Sequence, residues 1–184
     1  MGSWNYANER VYGGRAEGGL NADFANKMPK AVGRSCLTAL IGVRGGIAGD
    51  FTVTRLAEDE FMIIGSGMAE RYHQRFWKMV PMPAGVSFES LTEALCGFNV
   101  AGPNSRGLLQ RLTNTSLATE DFPFMRSKRI ELAGVDCVAL RVSFTGDLGW
   151  ELHCNTEDQL RLYEALLDCA KDFDAGPVGA RALM

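Results

Sequence analysis

Apolar and β-branched residues cluster in three short runs, SCLTALIG (35–42), IAGDFTVTRL (47–56) and FMIIG (61–65). VRGG (43–46) and AEDE (57–60) separate them and are short enough to join neighbours directly. This pattern predicts an antiparallel meander. The period then changes. In MAERYHQRFWKMV (68–80), Met68, Tyr72, Phe76 and Met79 recur at helical spacing, and Pro81 and Pro83 close the run. That stripe is expected to face the core, which leaves His73 on the surface.

The second half repeats the mixture in a different order. VSFES (86–90) and EALCGFNVAG (93–102) read as strands. GPNSRGLLQRL (102–112) reads as a turn into a helix with Leu108, Leu109 and Leu112 inward and Asn104 or Ser105 as cap. MRSKRIELAG and VDCVALRVSFTG predict a hairpin around Gly134, and GWELHC (149–154) a further strand. TEDQLRLYEALLDCAKDF opens like a capping box and carries an apolar stripe of Leu160, Tyr163, Leu166, Leu167 and Ala170. Residues 1–19 show no periodicity and are expected to be irregular, and 20–184 to form one domain. The predicted class is α+β, antiparallel strands with packed helices. No repeat of solenoid period is visible. GPVGARALM (176–184) starts like a helix and stops after one turn, as a truncated piece of a longer chain would.

Composition narrows the function classes. Apolar residues make up 46% and charged residues 22% of 184, with a net charge of -3. Such totals suit a globular protein and give no basic face for nucleic acid. No apolar run reaches membrane-spanning length. Five cysteines without C-x-x-C spacing argue against a zinc site, and the expected metal count is none. They point to a reducing compartment, cytoplasm or mitochondrial matrix.

Three places could carry chemistry. Asp50 interrupts a β-branched strand, on the side of Ala48 and Thr52 and opposite Phe51 and Val53. It is either a solvent-facing carboxylate or one aimed at a cationic ligand. In RVSFTGDLGWEL (141–152), Gly146 and Gly149 bracket Asp147 in a tight connection, and Glu151 alternates with Trp150 and Leu152. Glu151 lies either on a wet face or in a site where its two oxygens accept paired N–H donors. Arg181 is either a surface side chain or a guanidinium for a carboxylate.

Four motifs occur in order: RGGIAGDFTV (44–53), AGPNSR (101–106), FTGDLGWEL (144–152) and PVGARAL (177–183). Together they resemble the aminomethyltransferase (T-protein) family of the glycine cleavage system. The likeness is nearer still to the folate-binding part of dimethylglycine and sarcosine dehydrogenases. It covers about residues 20–184. The resemblance implies that Asp50 orients tetrahydrofolate and promotes carbon transfer, and that Glu151 hydrogen-bonds the pterin. It further implies that Phe144 lines the site, that Arg181 holds the distal part of the folate, and that these groups surround one flat bicyclic ligand. Two departures stand out. Leu37 replaces an expected tyrosine at the folate site, and Gly49 replaces the first of two adjacent aspartates. Gly65 matches the dehydrogenase-like members.

The implied function is a tetrahydrofolate-binding module for one-carbon transfer from an oxidised N-methyl or aminomethyl donor. FAD enters only through a separate flavin domain outside this chain. The alternative is a non-catalytic, truncated relative that serves as a folate-binding or interaction domain. A maturation-factor relative would carry K-G-C-x-x-G-Q/E, which is absent from the sequence. The implied partners are folate, a methylated amine donor, and an oligomeric or flavin-domain neighbour that covers the truncated ends. Neither nucleic acid nor membrane is expected.

Overall fold

The computed structural model describes residues 2–4, 6–42, 44–80 and 82–179. The chain divides into two compact units, residues 5–92 and residues 1–4 with 93–184. Each contains one five-stranded sheet in which every strand pair is antiparallel. The α+β class holds. Among the described residues no helix is long and apolar enough to cross a membrane.

In the first unit the chain runs through β2 (Tyr6–Tyr12), α1 (Ala16–Asp23), β3 (Ser35–Ile41), β4 (Ile47–Ala57), β5 (Glu60–Ser66), α2 (Glu70–Met79) and β6 (Ser87–Ser90). The sheet order is β3-β4-β5-β2-β6. Alternation along the strands gives one apolar face, with Val11, Phe51, Val53, Phe61 and Ile63 packed with Leu20 of α1 and Trp77 of α2. The predicted meander is present as β3, β4 and β5. The irregular N-terminus is not, because Tyr6–Tyr12 is an inner strand between β5 and β6. The stretch YANERVY hides its strand character because Glu9 and Arg10 break the expected run of apolar positions.

Two helices are rotated from their expected settings. On α2 the buried residues are His73 and Trp77, whereas Tyr72 and Met79 are exposed, as is Met68 in the 3-10 turn before the helix. Trp77 offers more apolar area than any residue of the expected stripe, and its burial turns the helix. The last helix, α4 (Gln159–Ala170), buries Leu162, Leu166 and Ala170, while Leu160 is exposed. Its entry is a 3-10 turn, Thr156–Asp158, without a side-chain cap hydrogen bond.

The second unit runs through β7 (Leu95–Ala101), α3 (Ser105–Gln110), β8 (Ser127–Leu132), β9 (Val135–Leu140), β10 (Gly149–Asn155) and α4, with β1 (Gly2–Trp4) at the sheet edge. The order is β1-β7-β10-β9-β8. Phe98, Val100, Trp150 and Leu152 form the core with Leu108 and Leu109 of α3 and Leu162 and Leu166 of α4. The β8–β9 hairpin turns through Ala133 and Gly134, both at positive φ. On the apolar face of the sheet Cys96, Cys154 and Cys137 stand in register across β7, β10 and β9. All five cysteines are free thiols.

The two units share one plan. Each follows strand, helix, three-strand meander, helix, and each sheet places the first strand beside the last of the meander. β2 corresponds to β7, β5 to β10 and α2 to α4. The central pairs match residue for residue, since Glu9 faces Ile63 and Phe98 faces Leu152. Both second helices follow a three-residue 3-10 turn, so His73 stands where the other unit has Leu162, and Trp77 where it has Leu166.

Arg55 of β4 ties the connection between α1 and β3 to the sheet. It is buried and donates through Nη1 to Glu17 Oε2 at 2.9 Å and to the Pro29 and Lys30 carbonyls at 3.1 Å. Its Nε donates to the Glu58 carbonyl at 3.0 Å. An ammonium cannot reach these acceptors at once. Arg55→Lys is expected to cost about 2 kcal/mol of stability, the order for leaving buried acceptors unmet. Urea denaturation checks this.

Candidate functional site

The register of β3 against β4 places Ala39 opposite Asp50 and Leu37 opposite Thr52. Leu37 and Asp50 therefore share one sheet face, diagonally across the pair. Both are exposed, whereas Phe51 and Val53 point into the core. The predicted alternation is thus observed, with the Asp50 carboxylate on the face away from α1 and α2.

On the core side of the same strand, His73 fills a notch. A Cβ at Gly49 would lie 2.8 Å from His73 Nε2 and 2.8 Å from the Phe51 ring. A Cβ at Gly65 would lie 2.7 Å from Phe51 and 3.3 Å from His73 Nδ1. The imidazole and the Phe51 ring pack at 4.6 Å between centroids. His73 is 2% exposed and its Nδ1 has no hydrogen-bond partner. Burial depresses the His73 pKa, and the negative charge of Asp50 works against that depression. The surface placement expected for His73 is therefore corrected. A histidine four residues before a tryptophan on one helix face was the available signal.

Glu9 lies on this apolar face as well, opposite Ile63 and 0% exposed. Neither carboxylate oxygen has a hydrogen-bond partner. Burial raises its pKa to about 7, and repulsion from Glu70 adds to the rise. Trp77 pulls the other way, yet its indole nitrogen stops short of a hydrogen bond. Glu9 escaped sequence reasoning because its strand did.

In the second unit β10 is the central strand. Trp150, Leu152 and Cys154 enter the core, and Glu151 and His153 occupy the opposite face. Asn99 stands across from Glu151 on β7, and Leu140 on β9. This face is not wet. Glu151 is 7% exposed, His153 1%, and Asn99 is also buried. Glu151 Oε2 lies 3.8 Å from His153 Nε2. A carboxylate kept from water beside an imidazole and an amide is a polar set that can take paired donors.

Phe144 is exposed on the connection from β9 to β10. That connection is not a tight turn, since β9 ends at Leu140 and the loop runs over 141–148. Local side-chain bonds replace the ladder there. Ser143 and Thr145 hydroxyls meet at 3.1 Å, and Thr145 donates to Asp147 at 3.5 Å. Asp147 is exposed in that loop. Arg181 lies outside the described residues. Asp50 and Leu37 belong to the first unit, and Glu151 and Phe144 to the second. Among the described residues no group of three or more His, Cys, Asp or Glu is placed to hold a metal ion.

The profile of the GCVT N-terminal domain matches residues 5–184. The chain belongs to the GCVT N-terminal domain family. Mouse mitochondrial dimethylglycine dehydrogenase is 32% identical over 162 residues, which cover 87% of this chain and 18% of that protein. Aminomethyltransferase T of the glycine cleavage system from Bartonella henselae superposes with a TM-score of 0.83 at 21% identity, over 98% of this chain and 48% of that one. Heterotetrameric sarcosine oxidase from Corynebacterium sp. U-96 gives a TM-score of 0.73 at 17% identity, over 96% of this chain and 85% of that one. This family chain thus spans about a fifth of its dehydrogenase relative, and the solved structures share its fold.

The Glu9 pKa has a measurable consequence. Its folded value of about 7 exceeds the ordinary 4.5. Its stabilising contribution is therefore complete below pH 4.5 and is lost as pH rises towards 7. Glu9→Gln removes that loss. The variant is expected to gain on wild type as pH rises, to about 3 kcal/mol above neutrality. Thermal melts across pH check it, with a constant difference as the contrary result.

Proposed function

We propose that the chain is a tetrahydrofolate-binding module for one-carbon transfer from an oxidised N-methyl or aminomethyl donor. Membership of the GCVT N-terminal domain family supports the class. The observation that carries the reading is Glu151, a carboxylate on the face of β10 away from the core and still 7% exposed. The donor edge of a pterin, an amide-like N–H beside an amino group, fits two carboxylate oxygens. Phe144, exposed on the preceding loop, supplies an aromatic wall. Leu37 gives the Asp50 face an apolar contact where a hydroxyl would otherwise sit. Arg181 takes the carboxylates of the folate tail.

Asp50 serves as the charge at the reacting carbon. The transferred carbon reaches the acceptor amine as part of a cation, and the amine sheds a proton once the bond forms. An exposed carboxylate on a rigid strand can steady that cation and take that proton. Oxidation of the donor is assigned to a separate flavin domain. Such a domain or a second subunit is the inferred partner, and the compartment is one that keeps the five thiols reduced, cytoplasm or mitochondrial matrix. The second reading, a folate-binding or interaction domain without chemistry, rests on Gly49, which stands where the first of two adjacent aspartates is expected.

Glu151→Ala is expected to weaken reduced-folate binding at least about tenfold, measured by calorimetry. Asp50→Asn is expected to leave binding nearly intact and to slow formaldehyde-equivalent transfer about a hundredfold or more. Unchanged transfer with intact binding would select the non-catalytic reading.

A further inference from the structure

Three cations of the second unit rest on one pair of aromatic rings. Lys128 of β8 stands opposite Ala139 of β9, a core residue, so its side chain leaves on the apolar side of the sheet. Its Nζ lies 5.4 Å from the centre of the Phe122 ring. Arg141 follows shortly after Ala139, and its Cζ lies 5.8 Å from the centre of the Trp150 ring. Arg106 of α3 brings its own Cζ to 5.9 Å from that same ring. Phe122 and Trp150 meet edge to face at 6.3 Å, which joins the three cations into one cluster. All three side chains are half-buried. An aromatic face attracts each cation, but it carries no net charge and leaves their mutual repulsion in place.

Long cationic side chains often lie on apolar surface merely to cover it. Here they are also left without counter-charge. None of the three takes part in an ion pair among the described residues. Arg106 donates through Nη2 to Thr119 Oγ1 at 2.9 Å, and Arg141 through Nη1 to the Phe122 carbonyl at 2.8 Å. Both guanidiniums keep further N–H groups for a ligand, and Arg106 Nε is buried with no acceptor. Burial and the Arg106 charge lower the Arg141 pKa, and Glu120, an exposed carboxylate, opposes them. We propose that Arg106, Lys128 and Arg141 form a site for a phosphate group, free or at the end of a small phosphate monoester. A phosphate dianion neutralises the positive surplus of the cluster. Donors arriving from α3, β8 and the end of β9 suit its tetrahedral oxygens, whereas a single guanidinium fork satisfies a planar carboxylate. The site lies on the Trp150 side of β10, and Glu151 occupies the opposite face, so it is separate from the proposed folate contacts.

The test uses the full chain, wild type and the variants Arg106→Gln, Lys128→Gln and Arg129→Gln. Arg129 is exposed on the other face of β8, opposite Val138, so its loss changes the net charge equally without touching the cluster. Inorganic phosphate and glycerol 3-phosphate are titrated by calorimetry at constant ionic strength, which holds non-specific screening fixed. Circular dichroism checks that each variant is folded, and Lys128→Gln carries the test if Arg106→Gln is not. Wild type is expected to bind at least one of the two ligands saturably, at one site per chain. Arg106→Gln and Lys128→Gln are each expected to weaken that binding about tenfold, and Arg129→Gln to leave it unchanged. The tighter of the two ligands identifies the source, free phosphate or a monoester. Absence of saturable binding by either ligand overturns the proposal. So does an equal loss in Lys128→Gln and Arg129→Gln, which would mark a general effect of charge.

Discussion

The register of the central strand pair in each sheet is the constraint on which everything else depends. β5 and β2 meet with Ile63 facing Glu9, and β10 and β7 with Leu152 facing Phe98. Side chains alternate along a strand, so a slip of one residue would exchange the two faces completely. In β10 it would turn Trp150 and Leu152 outward and Glu151 and His153 into the core. The large buried rings make that exchange prohibitively expensive. The apolar half of each strand thereby fixes the polar half, and candidate site residues are held by the packing of their neighbours.

The same register explains how one plan yields two different interiors. The second unit closes its helices over a wholly apolar face. The first spends part of that face on Glu9 and His73 and admits two glycines beneath the imidazole. Trp77 compensates by covering Phe24 and Phe88, whose ring centroids lie 5.6 Å away. Local cost is spread over a cluster of rings rather than carried by one contact.

Much of this was legible in the sequence. Strands with β-branched alternation and clear turn residues were placed well, from Ser35 to Ser66 and through the β8–β9 hairpin. Asp50 stood out because it interrupts such a run. What failed shares a physical reason. Tyr6–Tyr12 reads as irregular because a core carboxylate occupies an apolar position. The α2 stripe was misassigned because helical spacing admits more than one face, and a tryptophan outweighs two methionines and a tyrosine. The duplication was invisible because equivalent core positions carry unlike residues, Glu9 against Phe98 and His73 against Leu162. Alternation places Glu151 opposite the core, but alternation alone cannot say that this second face is also withdrawn from water.

The edge strands carry a last implication. β6 follows α2 and completes the first sheet, whereas the corresponding place beside β7 is taken by β1, from the very start of the chain. During synthesis β1 thus emerges ahead of the whole first unit, yet it is used by the sheet that forms after it. Gly2–Trp4 must wait for β7 to emerge, some ninety positions later, before its backbone groups find their ladder. Gly2–Trp4 is a long-range latch, so its loss would disturb the second sheet rather than the first, which lies next to it in the sequence.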